Sequence, residues 1–201
     1  MSDAVFIALL SSVASAVLTT IGTHGFDRYK NFKNTNLKRI SVLNALNAEL
    51  VTLKDLIEDR KKGVEATIES LPPTTLTYIP ISYNYFSVFD NLSTDLGLIS
   101  TPEVSKKIIV TYIEIKGLFE NVKDLGNKAL YIHKLSTEPS ISLNAILQIR
   151  ENEEQMMSLL LNKQVPKILQ MIDTCVKAIS NERERVPNLN GFWGFLCSKS
   201  R

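Results

Sequence analysis

The chain has 201 residues, 44% of them hydrophobic, with a net charge of +2 and a pI near 8.4. That size holds one domain with a real core, and so mild a charge gives no argument for nucleic acid. The two cysteines, Cys175 and Cys197, make neither a disulfide framework nor a metal cluster.

The twenty residues 4–23, AVFIALLSSVASAVLTTIGT, carry no charge. A helix of that length spans about 30 Å, the hydrocarbon thickness of a bilayer. Arg28, Lys30, Lys33, Lys38 and Arg39 follow, against Asp27 alone. Basic residues stay on the cytoplasmic side. The reading is therefore a single-pass transmembrane anchor in a bacterial inner membrane, with the N-terminus outside and the bulk of the chain cytoplasmic. Two alternatives stand beside it. One is a cleaved secretory signal, opposed by Asp3 and the lack of Lys or Arg before the apolar run. The other is a buried or interfacial helix. Ala8, Ser12, Ser15, Ala16, Thr19 and Thr20 place small side chains along one side of this helix. Such a face favours close helix–helix approach, and so self-association.

From residue 36 to residue 70 the pattern is helical, with Leu43, Leu46, Leu50, Leu53 and Ile57 on one face. Pro72 and Pro73 end it. A short extended stretch is allowed between Thr74 and Ile79, and Ser82 is a candidate cap for a short helix reaching about Leu96. The aromatic residues there suit a bundle end better than a ligand surface. Thr101-Pro102-Glu103 is a helix start: hydroxyl cap, proline at the first position, acid in the first turn. Val104, Ile108, Tyr112, Ile115, Leu118 or Phe119, Val122 and Leu125 then share one face, and Gly126-Asn127 ends or interrupts the helix. A turn at residues 136–139 leads to a last helix with Pro166 inside its apolar pattern, which predicts a kink or a split.

The fold expected is all-α: an N-terminal transmembrane helix, then an up-down bundle of about three long helices plus one short one. Residues 1–33 form the anchor and its basic flank, 34–186 the bundle, and 187–201 an aromatic and basic tail. The three long helices are expected to run up, down and up.

Catalytic spacings are missing from the sequence. Neither of the two histidines, His24 and His133, belongs to a zinc motif, and no phosphate-binding glycine loop or nucleophile elbow occurs. Helical ribonucleases that place a histidine a few residues after an arginine find no counterpart; Lys128 before His133 comes nearest. Glu151, Glu153 and Glu154 read as a solvated acidic face. No catalytic residue, cofactor or metal is assigned.

Phe89, Asp90, Leu96, Gly97, Leu98, Ile109, Val110 and Tyr112 form a stretch joining two helices. With the anchor and the leucine-rich helix, this resembles small bacterial single-pass membrane-anchored helical-bundle proteins of uncharacterised function, over residues 1 to about 120. The resemblance implies an architecture and a bacterial or phage setting. The function expected is a non-enzymatic membrane-anchored interaction protein that self-associates, with membrane lipid and its own copies as partners, no nucleic acid, and no further protein partner named. The alternatives are an oligomeric pore or membrane-disturbing effector in bacterial antiviral immunity, and a soluble bundle that senses a ligand through its aromatic connection.

Overall fold

Apolar side chains three and four positions apart give each long helix of this protein one sticky side, and those sides make the core. In the computed structural model the described backbone covers residues 2–70, 83–136 and 142–187. The side chains of residues 2–18, 20–22, 66–70, 83–84, 129, 133, 136, 143 and 145–146 fall outside the description. Five α-helices occur among the described residues: α1 Ser2–Ser70, α2 Ser87–Leu92, α3 Pro102–Ser136, α4 Leu143–Leu159 and α5 Val165–Glu184. Short 3-10 turns, Tyr83–Phe86 and Ser93–Leu98, flank α2. No strand occurs among the described residues, so the all-α expectation holds.

The chain divides into two compact units. One comprises Met1–Ser41 with Glu184–Arg201, and the other Val42–Arg183. The continuous buried seam of α1 begins at Val42 and Leu43, in the larger unit.

In the larger unit Leu43, Leu46, Leu50, Leu53 and Ile57 are buried on α1, as their spacing predicts. Val104, Ile108, Tyr112, Ile115, Leu118 and Leu125 are buried on α3, and Val165, Ile168, Ile172, Cys175 and Ile179 on α5. At about 1.5–3 kcal/mol for each large apolar side chain fully buried, these seams are the main favourable term. Gly126 does not stop α3; it is buried within it.

The helix directions correct the expected order. Asn44 meets Arg183 at 3.3 Å and Lys54 meets Asp173 at 2.7 Å, so α1 and α5 run antiparallel. Thr101 meets Glu182 at 2.7 Å and Glu114 meets Lys167 at 3.3 Å, so α3 and α5 are antiparallel too. Thus α1 and α3 run parallel. The three long helices go up, up and down rather than up, down and up. The return is made by the short elements. Phe86 packs at 5.4 Å from Phe119, Val88 and Phe89 sit at the level of Glu49, and Ser100 and Thr101 at the level of Glu182. This connection descends the bundle as a short, mostly helical leg.

Pro166 acts as expected, by a particular device. Residues Leu160–Gln164 form one π-turn between α4 and α5, in which the Val165 N–H donates to the Leu160 carbonyl five residues back. The wider turn accommodates the donor that proline lacks, and it brings both Leu160 and Leu161 to the buried side. The extended stretch expected at Thr74 to Ile79, the Ser82 cap, the turn near Pro139 and the tail from residue 188 lie outside the described residues, as does Cys197.

Candidate functional site

Two glutamates interrupt the apolar seams, and each is buried. Glu49 lies between Leu46 and Leu53 on α1, and Glu182 extends the Cys175–Ile179 row of α5. Burying a carboxylate is costly unless its oxygens find donors. Both glutamates find them at the start of another helix.

Glu49 Oε1 accepts the Val88 N–H at 2.8 Å, and Oε2 accepts the Phe89 N–H at 2.9 Å. These are first-turn amides of α2, which has no side-chain cap of its own. The Tyr112 hydroxyl donates to the same Oε2 at 2.7 Å. Burial, together with that hydrogen bond and the nearby carboxylate charge, holds the Tyr112 phenol well above its ordinary range. Glu182 makes the matching clamp on α3. Its Oε1 accepts the Ser100 and Thr101 N–H groups at 3.1 and 3.3 Å, and its Oε2 accepts the Thr101 hydroxyl at 2.7 Å. Thr101 is the residue that the sequence marks as the cap of α3. Its hydroxyl is engaged by Glu182, whereas its carbonyl receives the Val104 N–H at 3.0 Å.

An aromatic cluster stands around the first clamp. Phe89 stacks on Tyr112 with centroids 4.0 Å apart, and Phe86 meets Tyr112 and Phe119 at 6.4 and 5.4 Å. Lys116 lies 5.1 Å from the Phe86 ring centroid and 2.6 Å from Asp90. The cluster is a packed plug in which the one cation is already held by rings and a carboxylate. Next to it, Leu56, Ile57, Val64, Tyr85, Phe119 and Leu161 line an apolar cavity of about 60 Å³.

A second hollow, of about 430 Å³, opens beside the π-turn. Glu114, Asp124, Lys128, Lys163 and Lys167 surround it, and most are already paired or exposed: Lys167 with Glu114 at 3.3 Å, Lys128 with Glu153 at 3.5 Å. Glu153 is buried rather than part of a solvated acidic face, because it turns toward α3 and Lys128. Glu151 and Glu154 are exposed. Among the described residues, no three His, Cys, Asp or Glu side chains gather in a way that would hold a metal ion.

The residues singled out in the sequence are distributed as follows. Arg28, Lys30, Lys33 and Lys38 are exposed on α1, whereas Arg39 is buried. Of the small-residue face, Thr19 is exposed; the side chains of Ala8, Ser12, Ser15, Ala16 and Thr20 lie outside the described ones, though their backbone is helical. No helix among the described residues is long and apolar enough to cross a membrane. Most side chains of residues 4–23 are not among those described. Glu49 and Glu182 were missed in the sequence. The available signal was an acid at a seam position, three residues from a buried leucine (Leu46) or a buried isoleucine (Ile179).

No family model, curated protein or solved structure matches this chain.

Proposed function

We propose that this protein is a non-enzymatic, membrane-anchored interaction protein that self-associates. Residues 4–23 are the anchor, the N-terminus lies outside a bacterial inner membrane, and the bundle faces the cytoplasm. The observation that carries this reading is the twenty-residue uncharged run followed by Arg28, Lys30, Lys33 and Lys38, all exposed. The backbone supports it: α1 is helical from Ser2, so from Val5 on every peptide N–H of the run has an acceptor inside the helix, as hydrocarbon demands. Ala8, Ser12, Ser15, Ala16, Thr19 and Thr20 form the packing face between copies. In the larger unit the buried Glu49 and Glu182 are spent on capping helices, which suits a scaffold.

A second reading, an oligomeric membrane-disturbing effector in antiviral defence, draws on the hydroxyl row Ser11, Ser15 and Thr19, since hydroxyls tolerate both a packed face and a wet one.

Alkaline extraction of membranes tests the anchor. The full chain is expected to stay in the pellet, and a chain lacking residues 1–33 to appear in the supernatant. A C-terminal reporter active only in the periplasm should stay silent. Release of the full chain at high pH would overturn the anchor, and an active reporter would overturn the orientation.

A further inference from the structure

Helix α3 buries one side in the core and leaves an apolar row on the other. Ile109 and Ile113 are 39% and 61% exposed. Gly117 continues their row one turn on, and a Cβ placed there would meet no atom within 4 Å. Among the described residues nothing requires glycine at that point, and glycine is a poor helix former. A glycine beside exposed isoleucines is what a close helix–helix approach requires.

We propose that a second copy of this chain docks here, α3 against α3, antiparallel about a two-fold axis through Ile113. The sequence is self-complementary about that residue. Ile109 and Gly117 stand four residues either side, so the isoleucine of one copy packs over the glycine of the other. Lys106 and Glu120 stand seven either side, and Glu103 and Lys123 ten either side. All four charged residues are at least partly exposed. Antiparallel docking brings each lysine to a glutamate, whereas parallel docking sets Lys106 against Lys106 and Glu120 against Glu120. Glu120 and Lys123 also lie 4.0 Å apart on their own helix. That exposed pair is weak, and both side chains remain long enough to reach a neighbour. One helix pair buries less than the roughly 1,200 Å² of a standard interface, so the dimer is concentration-dependent. This inference does not rest on the anchor, because its residues all belong to the larger unit; two chains so paired carry their α1 helices antiparallel from Val42 on, so the pairing is tested in detergent, where no shared bilayer constrains them.

Cysteine crosslinking of the full chain in mild detergent tests it, in a Cys197→Ser background. Ile113→Cys should give a disulfide-linked dimer under mild oxidation. Leu130→Cys, at a site of similar exposure on the same helix, should not. Adding Lys106→Glu to Ile113→Cys should lower the yield about fivefold, since it sets two glutamates together in both halves of the interface. Lys106→Glu with Glu120→Lys should restore it. Equal crosslinking at positions 113 and 130, no crosslink at 113, or no recovery in the double reversal would each overturn the proposal. None of these outcomes bears on whether the chain is retained in membranes.

Discussion

Glu49 and Glu182 each occupy a place where a leucine would ordinarily fill the seam. Each spends its carboxylate on backbone amides that no other group caps. Removing one therefore strands several donors. Glu49→Ala should destabilise the protein by roughly 2–4 kcal/mol, because the Val88 and Phe89 amides and the Tyr112 hydroxyl lose their acceptor. Tyr112→Phe, which leaves both amides bonded, should cost less, about 1–2 kcal/mol. Urea unfolding of the two variants decides this; equal and negligible losses would show that the clamp is ornamental. The same scale holds a pH effect. Burial pushes the Cys175 thiol up from 9.0 to about 11, with the Thr111 hydroxyl and the Lys107 charge pulling the other way. A raised native pKa gives stability that is whole below pH 9 and lost as pH climbs from 9 to 11, because the unfolded chain ionises first. The loss is on the order of 2 kcal/mol by pH 11. The Tyr112 phenol, raised as well, adds a decline that starts near pH 10. Cys175→Ala should flatten the unfolding midpoint between pH 9 and 10; an unchanged slope there would contradict the assignment. Neither clamp was legible from periodicity, which registers apolar residues and passes over an acid among them. The donors come from 39 to 82 residues away, beyond any local pattern.

At the scale of elements the apolar spacing was informative. The seams of α1 and α3 were legible because a three-and-four spacing has only one helical solution that hides it, and Pro102 fixed where α3 begins. Leu50 and Ile115, both fully buried, should each cost on the order of 2–5 kcal/mol when changed to alanine. Lys61, whose contact is the surface pair with Glu65 at 3.5 Å, should be close to neutral as Lys61→Ala. Equilibrium denaturation of the three variants checks the faces; a comparable loss at all three sites would mean the helices are turned about their axes. The π-turn was legible only as a disturbance. Pro166 announces a missing hydrogen bond, but whether the helix kinks, breaks or widens depends on which leucines the core accepts. Here it accepts both Leu160 and Leu161. Gly126 misled in the opposite sense. A glycine near a polar neighbour reads as a stop, yet it continues a helix whose burial on both sides of it outweighs its poor propensity.

For the whole molecule, the all-α class followed from the pattern, but helix direction did not. Three long helices with one short turn suggest simple alternation. The described part of the leg between α1 and α3 is long enough to cross the bundle, with Phe86 and Thr101 held at opposite levels by Phe119 and Glu182. Apolar periodicity carries no record of that. The functional reading rests on what the N-terminal run does, and the mass of the full-length particle in mild detergent tests it most directly. The account predicts a multimer for the native chain. It predicts a smaller particle, held by α3 alone and dissociating on dilution, when Ser12→Leu, Ala16→Leu and Thr20→Leu are combined, since bulky side chains prevent close helix approach. Phe6→Leu with Val13→Leu, off that face, should leave the mass unchanged. A native chain that stays monomeric across a wide concentration range, or one whose mass ignores the small-residue face, would contradict it.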